Sequence, residues 1–146
     1  MLNANKETKI SSAVTITAGA AGTSDINGSA LDMSGYESVR LILQTGAIVS
    51  GGVQTLKWQQ GDQSDLSDAQ DLASTEMTIA DDDDDEVFIS DLVKPVKRYV
   101  RAVVPRATQN ATVAAVYEQY GGMKTPATQP SGVTAETNVS PAEGTA

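Results

Sequence analysis

The chain has 146 residues, ten Lys and Arg against nineteen Asp and Glu, and a formal net charge of −9 with a pI near 4.3. Neither cysteine nor histidine occurs, which excludes disulfides, thiolate nucleophiles, Cys/His zinc sites and histidine acid–base chemistry together. The acidic surface opposes phosphate backbones, so no nucleic-acid partner is expected.

Residues 1–8, within MLNANKETKI, carry no apolar stretch of the signal-peptide kind, and no later run approaches the length of a membrane span. A terminal arm, a start in the cytoplasm and no membrane partner are therefore expected. Strand signals follow almost without break. Lys9 to Thr17 is rich in β-branched residues and stops at a glycine- and alanine-rich loop. Ile26 to Met33 is a short segment with Asn27-Gly28 as a turn cue. In Tyr36 to Thr45, Val39, Leu41 and Leu43 alternate with Arg40, Ile42 and Gln44, which gives one apolar face and one mixed. Val53 to Gln60 follows Gly51-Gly52, with Leu56 and Trp58 on a single face.

Gly61 to Ala73 is polar and is expected to be a long loop with room for one helical turn. Its aspartates at 62, 65, 68 and 71 would form an acidic stripe on a helix, which favours solubility over a metal cage. Ser74 to Ala80 is expected to be a strand with Met77 and Ile79 inward. Asp81 to Asp85 is expected to be a solvated loop, because adjacent like charges repel and aspartate disfavours strands. It lacks the alternate spacing and mid-loop glycine of a calcium loop. Glu86 to Val93, Lys97 to Val104 and Ala111 to Tyr120 complete the strands, the last with Val113, Ala115 and Tyr117 on one face.

Eight or so strands without an amphipathic helix predict an all-β fold: an antiparallel β-sandwich over residues 9–121, a jelly roll among the candidates. Beyond Gly121-Gly122 the chain turns rich in Thr, Pro, Ala and Ser and has little to bury, so residues 122–146 are expected to form an extended or disordered arm. Twelve of the nineteen acids lie between Asp62 and Asp91, and five of the ten basic residues follow at once: Lys94, Lys97, Arg98, Arg101 and Arg106. Two arrangements fit this asymmetry. Within one subunit the basic strand faces the acidic loops or both are simply solvated; between subunits the strand meets the acidic loops of a neighbour and registers assembly.

No histidine means no conventional serine triad, aromatic platforms for sugars are scarce, and the Ala18–Gly22 loop precedes no helix or lysine that would cradle phosphate. The chain is accordingly expected not to be an enzyme and to use no cofactor or metal. Candidate contacts are Leu2 to Ile10, the basic strand and the tail, with Lys97, Arg98, Tyr99, Arg101, Arg106, Met123, Lys124 and Pro126 as the interface candidates.

The succession DMSGYESVRLILQTGAI, GGVQTLKWQQGDQSDLSDAQDLA and KRYVRAVVPRATQNATVAAVYEQYG resembles the small decoration (cement) proteins of tailed-bacteriophage heads, over roughly Met33 to Gly121. The resemblance implies a jelly-roll-like sandwich that binds the outside of an assembled head, with the major capsid protein and further copies of itself, as dimers or trimers, for partners. The five-aspartate run and the long Thr/Pro tail depart from that pattern. Other virion parts (tail, neck or spike) and a carbohydrate- or cell-surface-binding module are the alternatives.

Overall fold

A computed structural model describes residues 3–52, 54–106, 111–140 and 142–144. Leu2 and Val53, each at the head of an expected segment, lie outside the described residues. Among the described residues one short helix, α1 (Ala4–Glu7), precedes ten strands: β1 (Lys9–Val14), β2 (Ile26–Asn27), β3 (Leu31–Asp32), β4 (Tyr36–Ile48), β5 (Gln54–Gly61), β6 (Gln70–Asp71), β7 (Met77–Ile79), β8 (Val87–Val93), β9 (Tyr99–Val104) and β10 (Ala111–Gly122). The first sheet has the order β1-β10-β4-β8, and the second β2-β9-β5-β6, with β3 also on β9 and β7 also on β5. Every pairing is antiparallel.

The pairs β2/β3 and β6/β7 are each one interrupted strand lying along a single partner. Counted that way there are eight strands. The first pairs with the last, the second with the seventh, the third with the sixth and the fourth with the fifth. This is a single long hairpin rolled into two facing sheets, the order of a jelly roll.

Period-two alternation supplies the core. Val39, Leu41 and Leu43 of β4, Leu56 and Trp58 of β5, and Val113, Ala115 and Tyr117 of β10 are all buried between the sheets. Arg40, Ile42 and Gln44 point outward, as the alternation requires. β4 runs on to Ile48, three residues past its expected end, because Ile48 pairs with Ala111 and donates its N–H to Asp84 Oδ1 at 2.6 Å. β1 stops at Val14, earlier than expected. There Thr15 turns the chain, accepting the N–H of Gly19 on its carbonyl at 2.8 Å and that of Ala18 on its hydroxyl at 3.1 Å.

Asn27-Gly28 does not reverse the chain. Gly28 sits at the break between β2 and β3, and its N–H donates to Ala102 O at 2.8 Å. A Cβ there would lie 2.7 Å from that oxygen and 2.8 Å from the Tyr117 hydroxyl. Glycine is required by close approach, not by a turn.

The tail is extended, and it lies against the N-terminal arm. Ala127 N–H donates to Lys6 O at 2.7 Å, and Gln129 accepts the Ile10 N–H on Oε1 while its Nε2 donates to Asn5 O and Thr8 O. Asn5 Nδ2 in turn donates to Glu136 O and Thr137 Oγ1. The two terminal segments, far apart in sequence, strap each other along the β1 margin of the first sheet.

Candidate interaction surface

The basic segment binds the acids of its own chain. Lys97 Nζ lies 2.9 Å from Asp62 and 4.0 Å from Asp68, and Arg98 holds Asp32 through two bonds of 3.0 and 2.8 Å. The Arg98 guanidinium also lies 5.2 Å from the Tyr99 ring centroid. Arg101 donates to Gln59 Oε1 across the β5–β9 ladder at 2.8 Å, beside the Lys57–Asp71 ion pair. Of the two arrangements the charge asymmetry allowed, the intrachain one is present. The Arg98 guanidinium holds the Asp32 carboxyl below the usual carboxylate range, and Lys57 with Gln59 does the same for Asp71.

Arg106, expected at an interface, is instead buried within the fold. It is 6% exposed, and its guanidinium donates to Ser24 O (2.6 Å), Ala20 O (2.8 Å) and Ala111 O (3.3 Å), while its N–H meets Asp25 Oδ1 at 3.1 Å. It fastens the loop before β2 to the start of β10. Desolvation pulls its pKa downward. Arg106 keeps the inward parity of Ala102 and Val104 past Pro105 and still bridges Gln54.

The remaining candidates divide. Met33 N–H donates to Arg98 O and Met123 N–H to Gly35 O, which brings Lys97, Arg98 and Met123 to the end of the sandwich where β4 begins. Val96 and Met123, 91% and 88% exposed, stand out there. Lys124 follows Met123 in this exposed stretch. Pro126 lies against α1, near Asn3, Lys6 and Glu7. Arg101 lies on the outer face of the second sheet, and Arg106 at the opposite end.

Both acidic runs do more than dissolve the chain. Asp68 accepts the N–H groups of Asp62 and Gln63, and Asp65 that of Ser67. These bonds lower both carboxyls, backbone donation being the largest cause in each. No helix forms between Asp62 and Asp71, so the acidic stripe does not exist; β6 occupies the end of that segment. In the five-aspartate run, Asp83 accepts the Ala80 N–H, Asp84 that of Ile48 and Asp81 that of Gly51, all at 2.6–2.7 Å. Three of these five carboxylates cap backbone donors instead of fanning into water. No group of three or more converging metal-binding side chains occurs among the described residues.

Two aromatics join the sheets. Trp58 of β5 stacks on Tyr117 of β10 with centroids 5.9 Å apart. The indole donates to Ser90 Oγ of β8 at 2.9 Å, and the Tyr117 hydroxyl accepts Ala102 N–H at 2.8 Å and donates to Ser29 O at 3.1 Å. Burial raises the Tyr117 pKa far above its usual value. Both rings are therefore committed to the interior and offer no platform to a sugar.

Alternation alone did not single out the apolar strip on the outer face of the first sheet. Val116, Ile42 and Ile89 stand side by side across β10, β4 and β8. Val87 and Ile16 border them along a shallow depression floored by Ala114. The signal was present in VFISDLV, which is apolar at both parities, and in Ile42 on the mixed face of β4. No helix among the described residues is long and apolar enough to cross a membrane.

Neither a family model nor a curated protein matches the sequence. Among solved structures the fold is similar to that of the PBSX exported protein XepA, with a TM-score of 0.53 and 14% identity, over 96% of this chain and 46% of that one. The chain thus spans about half the length of XepA, and the likeness is one of fold.

Proposed function

We propose that this chain is a structural, non-enzymatic virion component of a tailed phage: a decoration protein that covers seams between major capsid subunits on the outside of the head, after a stay in the host cytoplasm. The observation that carries this reading is the apolar strip of Ile42, Val116, Ile89 and Val87 on an outward sheet face, which the sandwich gains by covering. The jelly-roll order and the likeness to a phage PBSX exported protein support it. Many copies on one lattice need only modest contacts each, since binding is multivalent. Self-association belongs to the same reading.

Co-sedimentation of the purified chain with empty heads tests it. The chain should pellet with heads and remain in solution alone, and Ile42→Glu with Val116→Glu should abolish pelleting without unfolding the sandwich. Failure to pellet with heads, together with pelleting on isolated tails or necks, would move the chain to another part of the virion.

A further inference from the structure

The two margins of the first sheet are treated differently. At the β1 margin, Ile10 N–H is taken by Gln129 of the tail. At the β8 margin nothing among the described residues pairs with the strand beyond β4. Thr45 N–H donates to Glu86 O (3.0 Å) and Lys94 N–H to Glu37 O (3.1 Å), so the even-numbered residues here turn their backbone groups toward β4. By alternation Val87, Ile89, Asp91 and Val93 turn theirs to the open side. The ladder to β4 is unbroken by any bulge, and proline enters only at Pro95. Asp91 is the one charge on the strand, and it accepts the Tyr120 hydroxyl at 2.7 Å. Such an edge lacks the usual protections against pairing. Val87, Ile89 and Val93 on it are 56%, 54% and 60% exposed.

We infer that the open side of β8 pairs with β8 of a second copy, antiparallel about a two-fold axis through Ser90, to give one continuous eight-stranded sheet. The register follows from the residues. Only a centre on Ser90 engages all four outward-turned residues: Val87 opposite Val93 of the second copy, and Ile89 opposite its Asp91. A centre on Asp91 sets carboxylate against carboxylate, and a centre on Ile89 carries Val93 past the end of the partner strand, opposite Asp85 of the turn, and so leaves it outside the ladder. Just past the strand ends, where Lys94 leaves the extended backbone, the Ser90 register also brings Glu86 beside Lys94 of the second copy, twice over by symmetry. Glu86 has no ion-pair partner among the described residues, and Lys94 is an exposed cation shared only with Glu37 at 3.1 Å. On the inner face Phe88 meets Leu92 of the other copy, which covers two side chains that only partly pack on the core. The second copy is thus favoured by strand complementarity, by Val87 facing Val93 and Phe88 facing Leu92, and by charge, with Ile89 beside Asp91 as the one mixed pairing.

This deepens the self-association in the proposed function, but its readouts need no heads, so either reading can fail while the other stands. Light scattering on the full chain should give twice the monomer mass of 15.2 kDa. Glu86→Lys and Lys94→Glu should each weaken self-association roughly tenfold or more, and an equimolar mixture of the two should restore a dimer, because every swapped charge then meets its opposite. Ser90→Cys supplies a readout independent of charge: the chain has no other cysteine, and facing Cα atoms in such a pair lie about 4.5 Å apart, within disulfide reach. Mild oxidation should cross-link it, and Ile89→Pro, which removes an outward N–H and leaves the β4 ladder intact, should prevent dimerisation in otherwise folded protein. A monomer at all concentrations, a closed ring of higher order, or a dimer indifferent to these changes would each overturn the inference.

Discussion

The interior seam and the charged surface of this molecule hold polar groups of opposite kinds. Tyr117 and Trp58, themselves buried, carry a hydroxyl and an indole across the gap between the sheets to Ala102, in the interior, and to Ser29 and Ser90 nearer its rim. Lys97 with Asp62, Arg98 with Asp32 and Lys57 with Asp71 form ion pairs whose members remain open to solvent. An exposed pair gains little, since water screens it and two long side chains lose freedom. A buried bond matters through its absence, because the group left behind has no water to turn to. The comparison teaches that the few neutral polar atoms inside hold more of the fold than the many charges outside.

The largest disturbance should come from the glycine that lets the seam close. Gly28→Ala sets a methyl against Ala102 O and the Tyr117 hydroxyl together. It should lower unfolding free energy by about 3 kcal/mol in urea titration with an unchanged slope, the sum of overpacking and a displaced hydrogen bond. Tyr117→Phe should follow at about 2 kcal/mol, because it keeps the ring stacked on Trp58 and strips partners only from Ala102 N–H and Ser29 O. If Tyr117→Phe proves neutral, the seam is held by packing alone and the contrast with the surface collapses.

How much of this was legible in the sequence follows the same division. The parity of Val39, Leu41 and Leu43, of Leu56 and Trp58, and of Val113, Ala115 and Tyr117 follows from alternation, because burial on one face is a local pattern repeated every second residue. The hydrogen-bond partners were not legible. Tyr117 shows its apolar parity in the sequence, but its hydroxyl meets Ser29 and Ala102 only after β10 is laid over the second sheet. Arg106 looked like one more member of a basic strand, and only the fold brings Ala20, Ser24 and Asp25 around it. The five-aspartate run misled for a similar reason. A carboxylate that caps Ile48, thirty-six positions away, leaves no local trace. The margin between covered and bare sheet edges was equally hidden, because Gln129 reaches Ile10 across most of the chain.

Between the two extremes lie those capping aspartates, half in and half out of water. Asp83→Ala frees the Ala80 N–H, and the loss should be about 1 kcal/mol, the size of a lost side-chain cap. Its effect should persist in high salt, since a side-chain-to-backbone bond at 2.7 Å is short-ranged, whereas any contribution of Lys97 to Asp62 should fade there.

The smallest effect should belong to Arg98→Ala, because both partners are roughly half exposed and water screens the pair. Its pH dependence makes it informative despite its size. Asp32 is held below its usual range first by the bond from Arg98, so the folded state releases that proton more readily than the unfolded chain. The stabilisation is therefore fully present above the unfolded carboxylate value of about 4 and is lost as pH falls through the lower folded value. Urea midpoints of the parent and Arg98→Ala should differ by a constant small amount from pH 5 to 8 and converge well below pH 4. Tyr117→Phe should show no such convergence, since its ionisation lies far above that window. A difference for Arg98→Ala that survives in acid would mean that the guanidinium acts by packing over the Tyr99 ring and not through its charge on Asp32.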